Sequence, residues 1–187
     1  MSELRKCIFG LCALLGVGIA QAEPVNEPYA KVGDWEITAE NNRECVMKRL
    51  YGSKVADEAQ GLIVLYDARR KTAALSWASP KPKLPPLSTS LDFDLAFLKG
   101  SSLNESWGSQ TFEIQKPAGA YAFIHVFTNP ADVERILGDL ASHEAIALFF
   151  GPTLMTGLPL DASDAVAKLR ECASKLAERD QGALIPK

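Results

Sequence analysis

The strongest signal along the chain is alternation with a period of two. Trp35, Ile37 and Ala39 alternate with Asp34, Glu36, Thr38 and Glu40. Successive side chains of an extended strand face opposite ways, so this spacing puts an apolar set on one side and a polar set on the other. Asn41-Asn42 favours a turn, and Glu44 to Tyr51 reads as the returning strand, carrying Cys45. The pair predicts a β-hairpin. Leu62 to Tyr66 is a continuous apolar run, which fits a strand buried on both faces. After a charged turn, Asp67 to Thr72, Leu75 and Trp77 alternate with Ala74 and Ser76. These runs predict a second hairpin with a basic tip of Arg69, Arg70 and Lys71. Leu91, Phe93, Leu95 and Phe97 alternate with Asp92, Asp94 and Ala96 in the most amphipathic strand of the chain. Lys99 to Gly108 reads as a Ser/Gly/Asn loop. Phe112 and Ile114, then the Pro117-Ala118-Gly119 turn, then Tyr121 to Phe127 predict a third hairpin.

The period then lengthens. Asn129 suits a helix cap and Pro130 the first helical position. Asp132 and Glu134 fall in the first turn, where the helix dipole favours negative charge. Val133, Ile136, Leu137 and Leu140 share one face. Ala145 to Phe150 reads as another buried strand, and Leu158 and Leu160 as a last short one. A final helix is predicted from about Ser163 to about Ala177. Its apolar stripe is Val166, Leu169, Cys172, Ala173 and Leu176, backed by Lys168, Arg170, Glu171, Lys175 and Glu178. Glu23 to Ala30 has little periodicity and reads as a flexible leader; residues 180–187 read as a frayed tail. Ser79 to Leu87 holds four prolines. It reads as a stiff connection or a blunted sheet edge, with a ligand for a polyproline-binding groove as the alternative. The expected class is α+β and mainly antiparallel β. It is a sandwich or open barrel of about eight strands in one domain, residues 31–179, with two late helices and the C-terminal one packed on the sheet.

Composition changes this picture in one place. Over 187 residues, 47 % hydrophobic and 23 % charged content suits a globular chain, and a net charge of −3 carries no electrostatic footprint for nucleic acid. The N-terminus is different. Arg5 and Lys6 precede an apolar run from Cys7 to Ala20, and Ala20-Gln21-Ala22 offers small residues at the positions a signal peptidase reads. The run is shorter than the ~20 residues of a spanning helix. Residues 1–22 are therefore expected to be a cleaved signal peptide, with no stable membrane insertion afterwards. Cleavage removes Cys7 and Cys12 and leaves Cys45 and Cys172, which in an oxidising compartment are expected to pair. The alternative is two separately buried thiols. The expected location is periplasmic or secreted, in a bacterium.

Candidate chemistry is sparse. The two histidines, His125 and His143, carry no metal-ligand spacing, and no HExxH, cysteine–histidine cluster or calcium loop occurs. No metal and no cofactor is implied. There is no GxSxG elbow, and Ser101, Ser102, Ser106 and Ser109 read as loop serines. His125 reads as a buried or half-buried histidine and His143 as an exposed turn residue. Asp92 and Asp94 share a strand face and are candidates for a carboxylate pair, although a solvated polar face explains them more simply. Trp107, in the polar loop, is the candidate aromatic of a binding surface. Arg69, Arg70 and Lys71 are the candidate contacts for an anionic envelope component.

The export pattern, the segment Gly33-Asp34-Trp35-Glu36-Ile37, the cysteine-bearing strand after it and the ending Gly157 to Leu169 (GLPLDASDAVAKL) resemble the invasion-associated locus B family. Those are small periplasmic or secreted proteins of alphaproteobacteria. In that family a cysteine usually follows the tryptophan strand closely; here Ala39 stands near that place and the cysteine is at 45. The resemblance implies an envelope protein without established catalysis, linked in some members to host-cell entry, and it transfers no catalytic residue. The expectation is an exported, non-enzymatic β-rich protein that binds an envelope component or a host or other partner protein. The alternatives are an envelope hydrolase using Asp92, Asp94 or His125, and an inhibitor or chaperone-like module. Mass spectrometry of the exported protein should find Glu23 as its first residue; a chain retaining Met1 would overturn the leader assignment.

Overall fold

A computed structural model describes residues 26–40, 43–52, 59–80, 89–100, 102–116 and 120–183. Ten strands form one open, antiparallel sheet in the order β1-β2-β3-β4-β5-β8-β7-β6-β9-β10. They are β1 (Asn26–Val32), β2 (Trp35–Glu40), β3 (Glu44–Tyr51), β4 (Gln60–Asp67) and β5 (Thr72–Ser79). There follow β6 (Ser90–Lys99), β7 (Ser102–Gln115), β8 (Tyr121–Phe127), β9 (Ala145–Phe150) and β10 (Thr153–Pro159). Helix α1 spans Pro130–Ser142 and α2 spans Ser163–Ala183. The class is the expected one, mainly antiparallel β with two late helices, and the sheet takes the open form.

The three expected hairpins are present as the pairs β2–β3, β4–β5 and β7–β8. Period-two alternation decides which side chains enter the core. Trp35, Ile37, Cys45, Met47, Leu62, Val64, Leu75, Trp77, Phe93, Phe97, Phe112 and Phe123 are all buried on one face of the sheet. Both helices lie on that inner face: α2 packs on β1 to β4, and α1 packs on β5 and β8 and against α2. The α1 stripe is Val133, Ile136, Leu137 and Leu140, and Asn129 caps the helix by accepting from the Ala131 amide at 3.0 Å. The α2 stripe, Val166, Leu169, Cys172, Ala173 and Leu176, is buried as its 3.6-residue spacing requires.

Cys45 of β3 and Cys172 of α2 form a disulfide, with Cα atoms 6.1 Å apart and both residues fully buried. It ties the last helix to the opening hairpin. Separately buried thiols are thereby excluded.

Four expectations need correction. Residues 26–30 of the expected leader belong to β1, which pairs with β2 from Asn26↔Glu40 to Val32↔Trp35. The pairing shifts between Pro28 and Ala30; a proline without an amide hydrogen is tolerated on an edge strand. The expected loop at Lys99 to Gly108 is mostly strand: β7 begins at Ser102 and pairs with β6 along its length. Two register shifts and Gly108 at φ +62° let this polar sequence follow β6, and its outward face needs no apolar residues. The C-terminal helix continues to Ala183, past the expected end near Ala177 and into the expected tail. The last strand, expected only at Leu158 and Leu160, begins at Thr153. The expected leader peptide at 1–22, the Asn41-Asn42 turn, the Pro117-Ala118-Gly119 turn and most of the Pro-rich segment lie outside the described residues.

The disulfide closes a loop across a sequence separation of 127 residues. Its removal should cost up to ~5 kcal/mol by loop-closure entropy. Denaturant unfolding of the oxidised chain against the Cys45→Ala/Cys172→Ala variant measures this. Equal stabilities would show that α2 is held by packing alone.

Candidate functional site

The sheet's inner and outer faces separate the residues singled out from sequence. Asp92 and Asp94 lie on the exposed outer face of β6. The Asp92 carboxylate accepts from the Thr111 hydroxyl at 2.6 Å. His125 belongs to the opposite face, with Phe123 and Phe127 on either side along β8. It is half-buried, its Nδ1 lies 2.8 Å from the Thr111 carbonyl, and its ring packs on Phe127 and Phe112. The three side chains therefore do not converge on one volume.

Trp107 sits in β7 rather than in a loop, and α1 takes up its polar and aromatic surface. Its indole N–H donates to Asp139 Oδ2 at 2.8 Å, and Arg135 lies 4.2 Å above its ring. Phe127 meets it edge-on at 5.3 Å. Arg135 also pairs with Glu105 on β7. This half-buried tryptophan holds α1 against the sheet. His143, read as exposed, is packed: its side chain is 8 % exposed. It ends α1, with Nδ1 2.9 Å from the Asp139 carbonyl, Nε2 2.8 Å from the Asn104 amide nitrogen, and its ring against Phe97.

Arg69, Arg70 and Lys71 do form the β4–β5 tip, with Lys71 at φ +52°. Asp67, only 3 % exposed, organises it. Its Oδ1 accepts the Arg69 and Arg70 amide hydrogens at 2.9 and 3.1 Å. Both guanidinium groups stand 3.7 Å from that carboxylate, so the charge of the tip is partly neutralised. Glu44 nearby is raised above the ordinary carboxylate range, first by burial, then by Glu40 and Asp67.

Two further clusters carried no sequence signal. Arg49, whose side chain is 15 % exposed, donates to the Leu160 carbonyl at 2.7 Å and to Asp34 at 3.0 Å, and lies 5.0 Å over the Tyr51 ring. The Tyr51 hydroxyl is buried without a partner among the described residues, and burial pushes its pKa to about 12. A cavity of about 270 Å³ opens beside Arg49, between His143, Glu144, Pro159, Asp161 and Ser163. Glu171 of α2 accepts from Tyr29 of β1 at 2.8 Å, from Lys168 at 2.6 Å and from Lys175 at 2.7 Å. These donors lower its pKa to about 2. Only a pairing partner in space, not a motif, makes either cluster visible. Among the described residues no group of three or more His, Cys, Asp or Glu side chains is placed to hold a metal ion.

The outer face of the sheet carries rows of apolar side chains. Across β4, β5 and β8 it carries Leu65, Ala74 and Val126 in one row, which continues to Val46 of β3, itself buried. The next two rows add Ile63 and Ile124, then Leu50, Ala78 and Ala122. Leu50 is 76 % and Val126 53 % exposed. Neither helix covers this face, because both lie on the inner side.

Compared with protein-family models, with characterised proteins and with solved structures, the chain gives no match. No helix among the described residues is long and apolar enough to cross a membrane.

The folded-state pKa of Glu171 is below its ordinary value of 4.5, so its contribution to stability is present above that pH and is lost as pH falls toward about 2. Thermal melts should show wild type more stable than Glu171→Gln at neutral pH, with the gap closing below about pH 4.5. A gap independent of pH would mean that the charge of Glu171 contributes nothing to stability.

Proposed function

We propose that this is an exported, disulfide-locked β-rich domain that binds an envelope component or a partner protein and is not an enzyme, akin to the invasion-associated locus B proteins it resembles. The observation that carries this reading is the buried Cys45–Cys172 bond, because such bonds persist in oxidising compartments and are rare in the cytosol. The leader pattern of residues 1–22 supports the same location. Binding rather than catalysis is favoured by the division of the titratable candidates: Asp92 and Asp94 face outward and His125 inward. The alternative of a hydrolase using those three would require them to share a cleft. The partly exposed apolar positions of β3, β4, β5 and β8, with Leu50 and Val126 the most exposed, are the surface on which binding would occur.

The test is expression with the native leader, followed by cell fractionation and thiol labelling. The protein should appear in the periplasm or the medium without residues 1–22, with no reactive thiol before reduction and two after it. Crosslinking in the envelope fraction should give a discrete adduct that Leu65→Lys abolishes. A cytoplasmic protein with free thiols, or envelope hydrolysis lost in His125→Ala, would overturn this reading.

A further inference from the structure

We infer that the outer face of β3-β4-β5-β8-β7 pairs with the same face of a second copy of this chain, through a two-fold axis running parallel to β5. The inference rests on reading that face as a binding surface and adds the identity of one occupant.

The argument comes from the register. One row across the outer face reads Glu36, Lys48, Ile63, Ser76, Ile124, Glu113, Ser90. It is centred on Ser76 of β5. A two-fold axis along β5 reverses the row on the facing copy. Ser76 then meets Ser76, and Ile63 meets Ile124. Lys48 meets Glu113, and Glu36 meets the neutral Ser90. Each charge therefore finds the opposite sign or a hydroxyl, and the two Lys48–Glu113 pairs form by symmetry. The flanking rows obey the same operation. Around Ala74, Leu65 faces Val126; around Ala78, Gly61 faces Ala122 and Leu50 faces Gln115. A self-complementary patch of this kind is what an isologous dimer requires. An axis perpendicular to the strands would instead oppose Lys48 to Lys48 and Glu113 to Glu113.

The side-chain relief fits as well. The β5 positions Ala74, Ser76 and Ala78 are small and are bordered by Ile63 and Leu65 on one side and Ile124 and Val126 on the other. Sheets stacked face to face sit about 10 Å apart, a distance at which these branched side chains meet across the interface. Lys48 already pairs with Glu36 of its own sheet at 3.3 Å and remains about half exposed, so its ammonium is accessible to a second carboxylate. Five strands at a spacing of about 4.8 Å and three rows give a patch of roughly 20 Å by 15 Å. That is less than the roughly 800 Å² each partner of a standard complex contributes, so the dimer is weak and transient.

Analytical ultracentrifugation of the mature, disulfide-intact protein, from low micromolar to near-millimolar concentration, tests this. Wild type should approach twice the monomer mass, and Leu65→Lys or the more exposed Val126→Lys should remain monomeric. Lys48→Glu and Glu113→Lys should each weaken the dimer about tenfold, and the double variant should restore it. A wild-type monomer at every concentration, a dimer indifferent to both lysine substitutions, or a double charge reversal without recovery would each overturn the inference. Should wild type stay monomeric while Leu65→Lys still abolishes the envelope crosslink, self-association fails and the binding surface stands. Should the crosslink also be indifferent to Leu65→Lys, the binding surface falls with it.

Discussion

An open sheet of this size has one face that must be covered, and the Cys45–Cys172 bond fixes what covers it. The inner faces of β1 to β4 present Trp35, Ile37, Cys45, Met47, Leu62 and Val64. Their burial is worth about 25 cal/mol for each Å² of apolar surface removed from water, but only while α2 stays in place. The helix is the last element of the fold and the hairpin nearly the first. Contacts of such separation are slow to form and cost the most loop-closure entropy. A covalent bond between them removes that cost from every later opening of the chain. Tyr29 to Glu171 adds a polar tie between the same helix and the edge strand β1.

A second set of contacts holds the end of β10 against the opening hairpin. The Leu160 carbonyl, just past β10, accepts both from the Trp35 indole at 3.0 Å and from Arg49 at 2.7 Å. The Leu160 amide donates to the Glu144 carbonyl, and the Glu144 amide donates to that of Leu98. Thus β2 and β3 are linked to β6, β9 and β10 through one short segment before α2. The sheet stays open along its hydrogen-bonded edges, yet its two ends are coupled by side chains at this point. A partly buried guanidinium donating to a carbonyl and a carboxylate is a strong link of this kind.

What the sequence disclosed followed from how much of each element faced the core. Strands with one buried face, such as β2 and β6, announced themselves by alternation, and both helical stripes fell where the 3.6-residue period put them. Strand β1 did not, because its place is set by backbone pairing with β2 and its sequence contains Pro28. The first half of β7 did not, because Ser102 to Ser106 face solvent and need only a partner strand, which β6 supplies. Trp107 was conspicuous as a tryptophan among polar residues, but its partners Arg135, Asp139 and Phe127 lie 20 to 32 positions away. His143 was misread for the same reason: Asn104 and Phe97 enclose it, and no local pattern reports them. The disulfide was legible because the expected loss of residues 1–22 leaves Cys45 and Cys172 as the one possible pair.

The division of labour between the two faces explains why this chain looks poor in chemistry. Apart from the Tyr51 hydroxyl, which has no partner among the described residues, the inner face commits polar groups to structure: the Trp35 and Trp107 indoles, Arg49 and His143 all hold one element against another. The outer face bears carboxylates that are spread along strands and apolar side chains that are not needed for the core. A catalytic group needs a water-poor recess in which its charge is felt strongly, and Asp92 and Asp94 instead stand exposed on the outer face of β6. In the dimer we infer, small β5 residues let the facing sheet come close, branched neighbours on β4 and β8 supply apolar area, and Lys48 and Glu113 at the margins set the orientation.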